Sequence, residues 1–354
     1  MRLVAFLAPT ALWSVLALLL PLGDPAARAQ PVQAPAQVSA QTPAQTNVGF
    51  QVIQVPDGQG QPIEVGLWYP TTAPVTGPAR GMGALPVALG APLDGANLPL
   101  VVMSHGNGGW FGGHYDTAIA LARAGFVVAA LTHTGDNYKD QSRATDMANR
   151  PRQLHVLIDY MLGTWAQHDR LDPARVGAFG FSSGGFTVLV EAGGEPDMTR
   201  VAAHCRDYPQ HYDCQLLART PPPAAATDPG APHAWTHDAR VRAVVSAAPA
   251  LGYTFTAQSL GRLTLPIQLW RAADDEILVD PFHASAVRAA LPSTTDYHVV
   301  AKARHFDFLT PCDDYTRKNI PSLCNSDPGF DRAAFHADFN AKVVGFFTKA
   351  LARP

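Results

Sequence analysis

The chain has 354 residues, 47% of them hydrophobic and 16% charged, which is enough apolar material for one large buried sheet covered by helices. Its formal net charge of -3 gives no electrostatic reason to expect nucleic acid as a partner. It carries neither a G-x-G-x-x-G unit nor a phosphate loop, so no cofactor is expected.

At the amino end, Arg2 precedes an apolar stretch over residues 3–22, and Ala27-Arg28-Ala29 offers small residues at cleavage positions before Gln30. This reads as a secretory signal peptide over residues 1–29, removed after Ala29, and hence as a secreted or periplasmic protein. The stretch is long enough for a membrane anchor, but Pro9 and Pro21 interrupt it, so no stable span is expected after cleavage. Residues 30–46 are uncharged and have no periodic apolar face. They bury too little to offset the entropy of ordering and are expected to be a disordered tether.

A catalytic domain is expected over residues 47–354. A strand ending in Leu67-Trp68-Tyr69-Pro70 is followed by residues 71–97, rich in Pro, Gly and Ala, which read as a long surface excursion. Residues 98–103 form a buried-strand run that opens into Ser104-His105-Gly106-Asn107-Gly108-Gly109, where the glycines let the backbone approach a ligand closely. Residues 115–124 read as a helix ended by Gly125, and residues 126–132 as a strand. After Pro151, the spacing of Leu154, Leu157, Ile158, Met161, Leu162 and Trp165 predicts an amphipathic helix whose apolar face is core.

The most specific signal is Gly180-Phe181-Ser182-Ser183-Gly184-Gly185, between a strand-like run at 175–179 and a helix-like run at 186–191. Strand, G-x-S-x-G turn and helix in that order are the nucleophile elbow of an α/β-hydrolase fold, a mostly parallel sheet with helices on both faces. Centring the motif on Ser182 puts Gly180 and Gly184 at the glycine positions, whereas centring it on Ser183 puts Phe181 there. In this fold the earlier glycine-rich loop supplies one oxyanion donor, here assigned to the backbone N–H of Asn107, and Ser183 supplies the other.

Chain order in such enzymes is serine, acid, histidine. A strand at 265–270 opens into Arg271-Ala272-Ala273-Asp274-Asp275-Glu276-Ile277-Leu278, and a strand at 296–301 delivers Lys302-Ala303-Arg304-His305-Phe306-Asp307-Phe308. Among thirteen histidines, His305 is singled out by position, since His298 lies within the strand and His336 within the terminal helix. That helix shows Phe335, Phe339, Val343, Phe346 and Phe347 on one side, a packing signal. The residues alone leave Asp275 and Asp274 both open as the acid.

Segments 98–109, 115–140, 265–278 and 303–312 resemble the bacterial "predicted dienelactone hydrolase" group, itself similar to platelet-activating-factor acetylhydrolases. The openings Asn47-Val48-Gly49-Phe50 and Thr132-His133-Thr134-Gly135-Asp136-Asn137 also look like that group. The resemblance implies Asp275 as the acid, because Ile277 and Leu278 follow it as in the family's acid loop, with Asp274 and Glu276 as solvated neighbours. Dienelactone hydrolases carry cysteine where this chain has Ser182. The animal acetylhydrolases take their acid soon after the nucleophile strand, where residues 241–249 contain no carboxylate. The resemblance therefore implies a serine esterase acting on small-molecule or lipid esters more than it implies either named substrate.

Residues 193–239 interrupt the alternation with Pro221-Pro222-Pro223, several histidines and two cysteines, and are expected to form a cap. With Trp110 and Phe111 beside the oxyanion loop, the cap is expected to shape the substrate pocket. His204, His211, His233 and His237 match no standard ligand spacing, so no metal is expected. The four cysteines permit three connectivities, and the sequence suggests two local pairs, Cys205 with Cys214 and Cys312 with Cys324. The reading is thus a serine carboxylesterase. The alternatives are an acyltransferase using the same triad and a non-catalytic binding protein on a hydrolase scaffold.

Overall fold

A nine-stranded sheet in the order β3-β1-β2-β5-β4-β6-β7-β8-β9 organises the chain. Its strands are β1 (Asn47–Val55), β2 (Ile63–Thr71), β3 (Ala88–Leu89), β4 (Leu98–Ser104), β5 (Val127–Thr132), β6 (Leu171–Phe181), β7 (Val241–Ala247), β8 (Ile267–Ala272) and β9 (Asp296–Val300). The computed structural model describes residues 46–75, 85–221 and 235–353. The expected signal peptide at 1–29 lies outside the described residues, as do the tether up to residue 45 and parts of the 71–97 and 193–239 segments.

The six strands from β5 to β9 are all parallel, while β2 joins β5, and β1 joins β2, in antiparallel pairs. Parallel strands need crossovers, and helices supply them: α1 (Tyr115–Arg123), α2 (Asn149–Gly163), α3 (Ser183–Glu191), α4 (Arg200–Asp207), α5 (Tyr212–Arg219), α6 (Ala257–Leu260) and α7 (Ala284–Ala290), while α8 (Asp314–Asn319) and α9 (Arg332–Ala350) follow β9. Successive strand residues point to opposite faces, so Leu100 and Val102 pack with Leu154, Phe186 and Leu189 on one side. Val101 and Met103 pack with Ile119, Phe339 and Phe347 on the other. Helix α1, which follows β4, ends where Gly125 takes φ 94°, a conformation that a side chain disfavours.

Two boundaries differ from the sequence reading for physical reasons. The helix expected after Pro151 begins at Asn149, because a proline in the first turn gives up an N–H that has no intrahelical partner in any case. The segment read as a surface excursion is partly inside: Leu85, Val87 and Leu93 are buried, and β3 pairs with β1.

The chain reverses direction across the sheet between β4 and β6. After β4 it builds β5 on one side, then returns to place β6 on the other. Loops leaving the carboxyl ends of strands at such a switch point diverge and leave a crevice, where ligands of open α/β sheets bind. Ser104 at the end of β4 is in register with Gly180 of β6, so the glycine-rich loop and the elbow open side by side. Further along, Ala272 pairs with Val300 and Asp274 N–H donates to the Ala303 carbonyl, which brings the acid loop against the histidine loop.

At the far end of α3, Glu191 is fully buried and neither carboxyl oxygen has a hydrogen-bond partner among the described residues. Burial, reinforced by the Asp238 charge, raises its pKa well above the ordinary 4.5. A carboxyl with a raised folded pKa holds more protons folded than unfolded between the two values, so the chain loses stability as pH rises above the unfolded value. Glu191→Gln should therefore be more stable than the parent at about pH 8 in urea denaturation, with the gain vanishing near about pH 4. A gain that is equal at both pH values would show that the carboxyl is not the cause.

Candidate active site

Ser182 sits at φ 57° and ψ -119°, between the end of β6 and the start of α3. A non-glycine residue in that region is strained and persists only where its surroundings over-determine it. Here they do. Ser182 N–H donates to the Ala247 carbonyl at 2.9 Å, and its own carbonyl accepts from Phe186 and Ala250. The turn closes only on glycine: a Cβ on Gly180 would lie 2.0 Å from the Gly184 carbonyl oxygen, and one on Gly184 would lie 1.9 Å from that of Ser104.

The Ser182 hydroxyl lies 3.0 Å from Nε2 of His305, and Nδ1 of the same ring lies 2.8 Å from Oδ2 of Asp275. His305 is 2% exposed. The other Asp275 oxygen accepts from the backbone N–H of Ile277 and Leu278 at 3.0 and 2.7 Å, which fixes the carboxylate plane. Asp274 is exposed and its backbone N–H binds Ala303, so it is Asp275 that meets the ring. Glu276, read from the sequence as only a solvated neighbour, also accepts the His305 backbone N–H at 3.3 Å. Among the described residues no other histidine bridges a serine hydroxyl and a carboxylate. Ser104 and His133 touch at 2.8 Å, but the third partner is the neutral Gln153 and Ser104 is 1% exposed.

The glycine-rich loop rests on a buried polar network that sequence reasoning missed. Asp136 Oδ1 accepts from the Asn107 side-chain amide at 2.7 Å and from the Gly108 backbone at 2.9 Å, where Gly108 takes φ 66°. Its other oxygen pairs with Arg150, whose guanidinium also donates to the His105 carbonyl and to Thr187. His105 Nδ1 donates to the Gly106 carbonyl, and Nε2 accepts the His133 backbone N–H at 3.0 Å. Burial first, and then the Arg150 charge, hold both imidazoles well below the ordinary histidine pKa, so they are neutral supports. No hydrogen bond among the described residues occupies the Asn107 backbone N–H. Ser183 opens α3, where an amide has no intrahelical acceptor.

The histidine loop has its own restraint. From α9, Arg332 donates to the carbonyls of Phe306, Leu309 and Leu323. Cys312 and Cys324 are bridged, as are Cys205 and Cys214, which gives the two local pairs expected from the sequence. Trp110 is half-buried beside the glycine-rich loop. Phe111 differs from the expectation. It turns into the core against Trp68 and Phe50, with ring centroids at 6.1 and 6.4 Å, because the short helix it begins faces the β1–β2 pair.

No protein-family model matches the chain, and no curated protein matches it. Among solved structures, a ferulic acid esterase from Streptomyces cinnamoneus superposes with TM-score 0.56 at 19% identity, over 91% of this chain and 96% of that one. A dienelactone hydrolase-like promiscuous phosphotriesterase from metagenomic libraries matches at TM-score 0.49 and 17% identity, over 86% of this chain and 100% of that one. Likeness to the esterase at that identity establishes the α/β-hydrolase fold, in agreement with the sheet order and the elbow described above.

Arg150 and Asp136 have side chains only 2% and 3% exposed. Removing one partner of such a pair leaves an uncompensated buried charge, so Arg150→Met should destabilise the protein by about 3–5 kcal/mol in urea denaturation. A loss below about 1 kcal/mol would place the pair among weak, solvent-screened contacts and remove its role in holding the loop.

Proposed function

We propose that the protein is a serine hydrolase of carboxylic esters that works through an acyl-enzyme. The observation that carries this reading is the strained Ser182, with its hydroxyl 3.0 Å from His305 Nε2 and with His305 Nδ1 2.8 Å from Asp275. Ser182 Oγ attacks the ester carbonyl carbon while Nε2 of His305 takes its proton. Asp275 holds the Nδ1–H tautomer and stabilises the imidazolium that forms. The carbonyl oxygen, now negative, is met by the backbone N–H groups of Asn107 and Ser183. Collapse expels the alcohol, which takes the proton from His305. Water then attacks the acyl-enzyme by the same route, with His305 again as base, and the acid leaves with Ser182 restored.

In this reading residues 193–239 act as a cap. Its helix α5 supports that role, because the Tyr212 hydroxyl donates to the Asn107 side-chain carbonyl at 2.6 Å. Of Trp110 and Phe111, Trp110 remains available to line the pocket. Substrates are small-molecule or lipid esters, and the likeness to a ferulic acid esterase adds aromatic acyl esters to those worth testing. Export through the leader at residues 1–29 is part of the proposal. Two disulfides support an oxidising compartment, and among the described residues no helix is long and apolar enough to cross a membrane.

Hydrolysis of p-nitrophenyl esters of graded chain length, feruloyl esters, lactones and short-acyl phospholipids tests the assignment. Ser182→Ala should lower turnover by roughly 10⁴-fold or more with the fold intact by circular dichroism. A Ser182→Ala protein with near-parental activity would overturn it. Asp275→Asn should lose orders of magnitude through the wrong imidazole tautomer, while Asp274→Asn loses about tenfold or less. The reverse ranking would move the acid by one residue.

A further inference from the structure

The Cys205–Cys214 bridge brings α4 and α5 to a Cα separation of 5.3 Å. The residues just before the two cysteines, His204 and Asp213, are drawn together with it. His204 Nε2 lies 3.2 Å from Nδ1 of His211 and 3.8 Å from Oδ2 of Asp213, and the three donor atoms fall within 4.8 Å of one another. His204 and His211 are 7% and 8% exposed.

Each ring is held by a tyrosine. His204 stacks on Tyr253 at 3.8 Å and 14°, and His211 on Tyr208 at 4.9 Å and 11°. The Tyr253 hydroxyl donates to Asp213 Oδ2 at 2.7 Å, the kind of outer hydrogen bond that orients a metal-binding carboxylate. A contact between two imidazoles does not account for the whole arrangement. The single proton available at His204 Nε2 serves either His211 or Asp213, and Asp213 Oδ1 is buried without a hydrogen-bond partner among the described residues.

We propose that His204, His211 and Asp213 form a binding site for a zinc-class transition-metal dication. Tetrahedral zinc with bonds of about 2.0–2.1 Å separates neighbouring donor atoms by roughly 3.3 Å, close to the 3.2 Å between the imidazole nitrogens. Two nitrogens and one carboxylate suit zinc, copper or nickel, whereas calcium takes six to eight oxygens. Three protein donors leave one tetrahedral position for water. The His-x₆-His-x-Asp spacing matches no familiar pattern because the disulfide, and not a helical repeat, brings the ligands together. A bound ion would also fix Tyr212, which lies between two ligands in sequence and reaches Asn107.

A second group, His155, Glu191 and Asp238, serves as a control, because Arg240 already engages both oxygens of Asp238. Chelator-treated protein would be titrated with Zn²⁺ by calorimetry and with Co²⁺ by visible absorption. The expected result is one Zn²⁺ per chain and a Co²⁺ spectrum of the intense tetrahedral type. His204→Gln, His211→Gln and Asp213→Asn should each weaken Zn²⁺ by at least about 100-fold, and Tyr253→Phe by about tenfold. Glu191→Gln and Ser182→Ala should bind as the parent does, the latter making the result independent of the esterase reading. Binding weaker than about 100 µM overturns the proposal, as does binding that survives all three ligand substitutions or disappears with Glu191→Gln. Should the variants misfold, parent protein that shows no tetrahedral Co²⁺ absorption at saturation overturns it alone.

Discussion

A single backbone residue, Ser182 at φ 57°, sets the geometry on which everything around it depends. The conformation is held by hydrogen bonds to β7 and α3, and it exists only because Gly180 and Gly184 carry no Cβ into backbone atoms about 2 Å away. The same close approach seats the first turn of α3 against the end of β4. The serine, the glycine-rich loop and the α3 amino terminus therefore cannot shift separately. The sheet does the rest, since β8 and β9 lie in parallel register and their loops carry a carboxylate and an imidazole to a common point.

Around that point the protein uses buried polar groups in two different ways. Near Ser182, Arg150 and Asp136 form a closed, fully partnered set with His105, Thr187, Asn107 and Gly108. Such pairs add little net stability over apolar packing, but here they hold the glycine-rich loop in one geometry. At the opposite end of α3, the Glu191 carboxyl has no hydrogen-bond partner among the described residues, and the cost of burying it appears as a raised pKa. Helix α3 thus carries a satisfied network at its amino end and, among the described residues, a carboxyl without a hydrogen-bond partner at its far end.

Much of this was legible in the sequence, and the reason is local chemistry. A G-x-S-x-G turn after an apolar run has few uses, and the glycines at 180 and 184 meet the backbone contacts that the motif demands. The residues alone left Asp275 and Asp274 both open, and only the resemblance to a family acid loop pointed to Asp275, whose second oxygen accepts from the Ile277 and Leu278 amides. What stayed hidden was assembled by tertiary contacts. Arg150 looks like a charged residue at the start of an amphipathic helix, and nothing local shows that it ends 2% exposed beneath the glycine-rich loop. Arg332 is likewise an ordinary first-turn residue until the histidine loop folds over it. Phe111 misled because an aromatic residue after a glycine-rich loop reads the same whether it faces a substrate or, as here, Trp68.

The central claim is that the Ser182 hydroxyl is an activated nucleophile, and covalent labelling with a fluorophosphonate examines it directly. An activated hydroxyl needs a base within reach and an oxyanion site, and the phosphorus of the reagent presents the geometry of an attacked ester. Peptide mapping by mass spectrometry should find the phosphonyl group on Ser182, with labelling falling sharply in His305→Ala. A label on Ser183, or labelling of Ser182 that is unchanged without His305, would contradict the account.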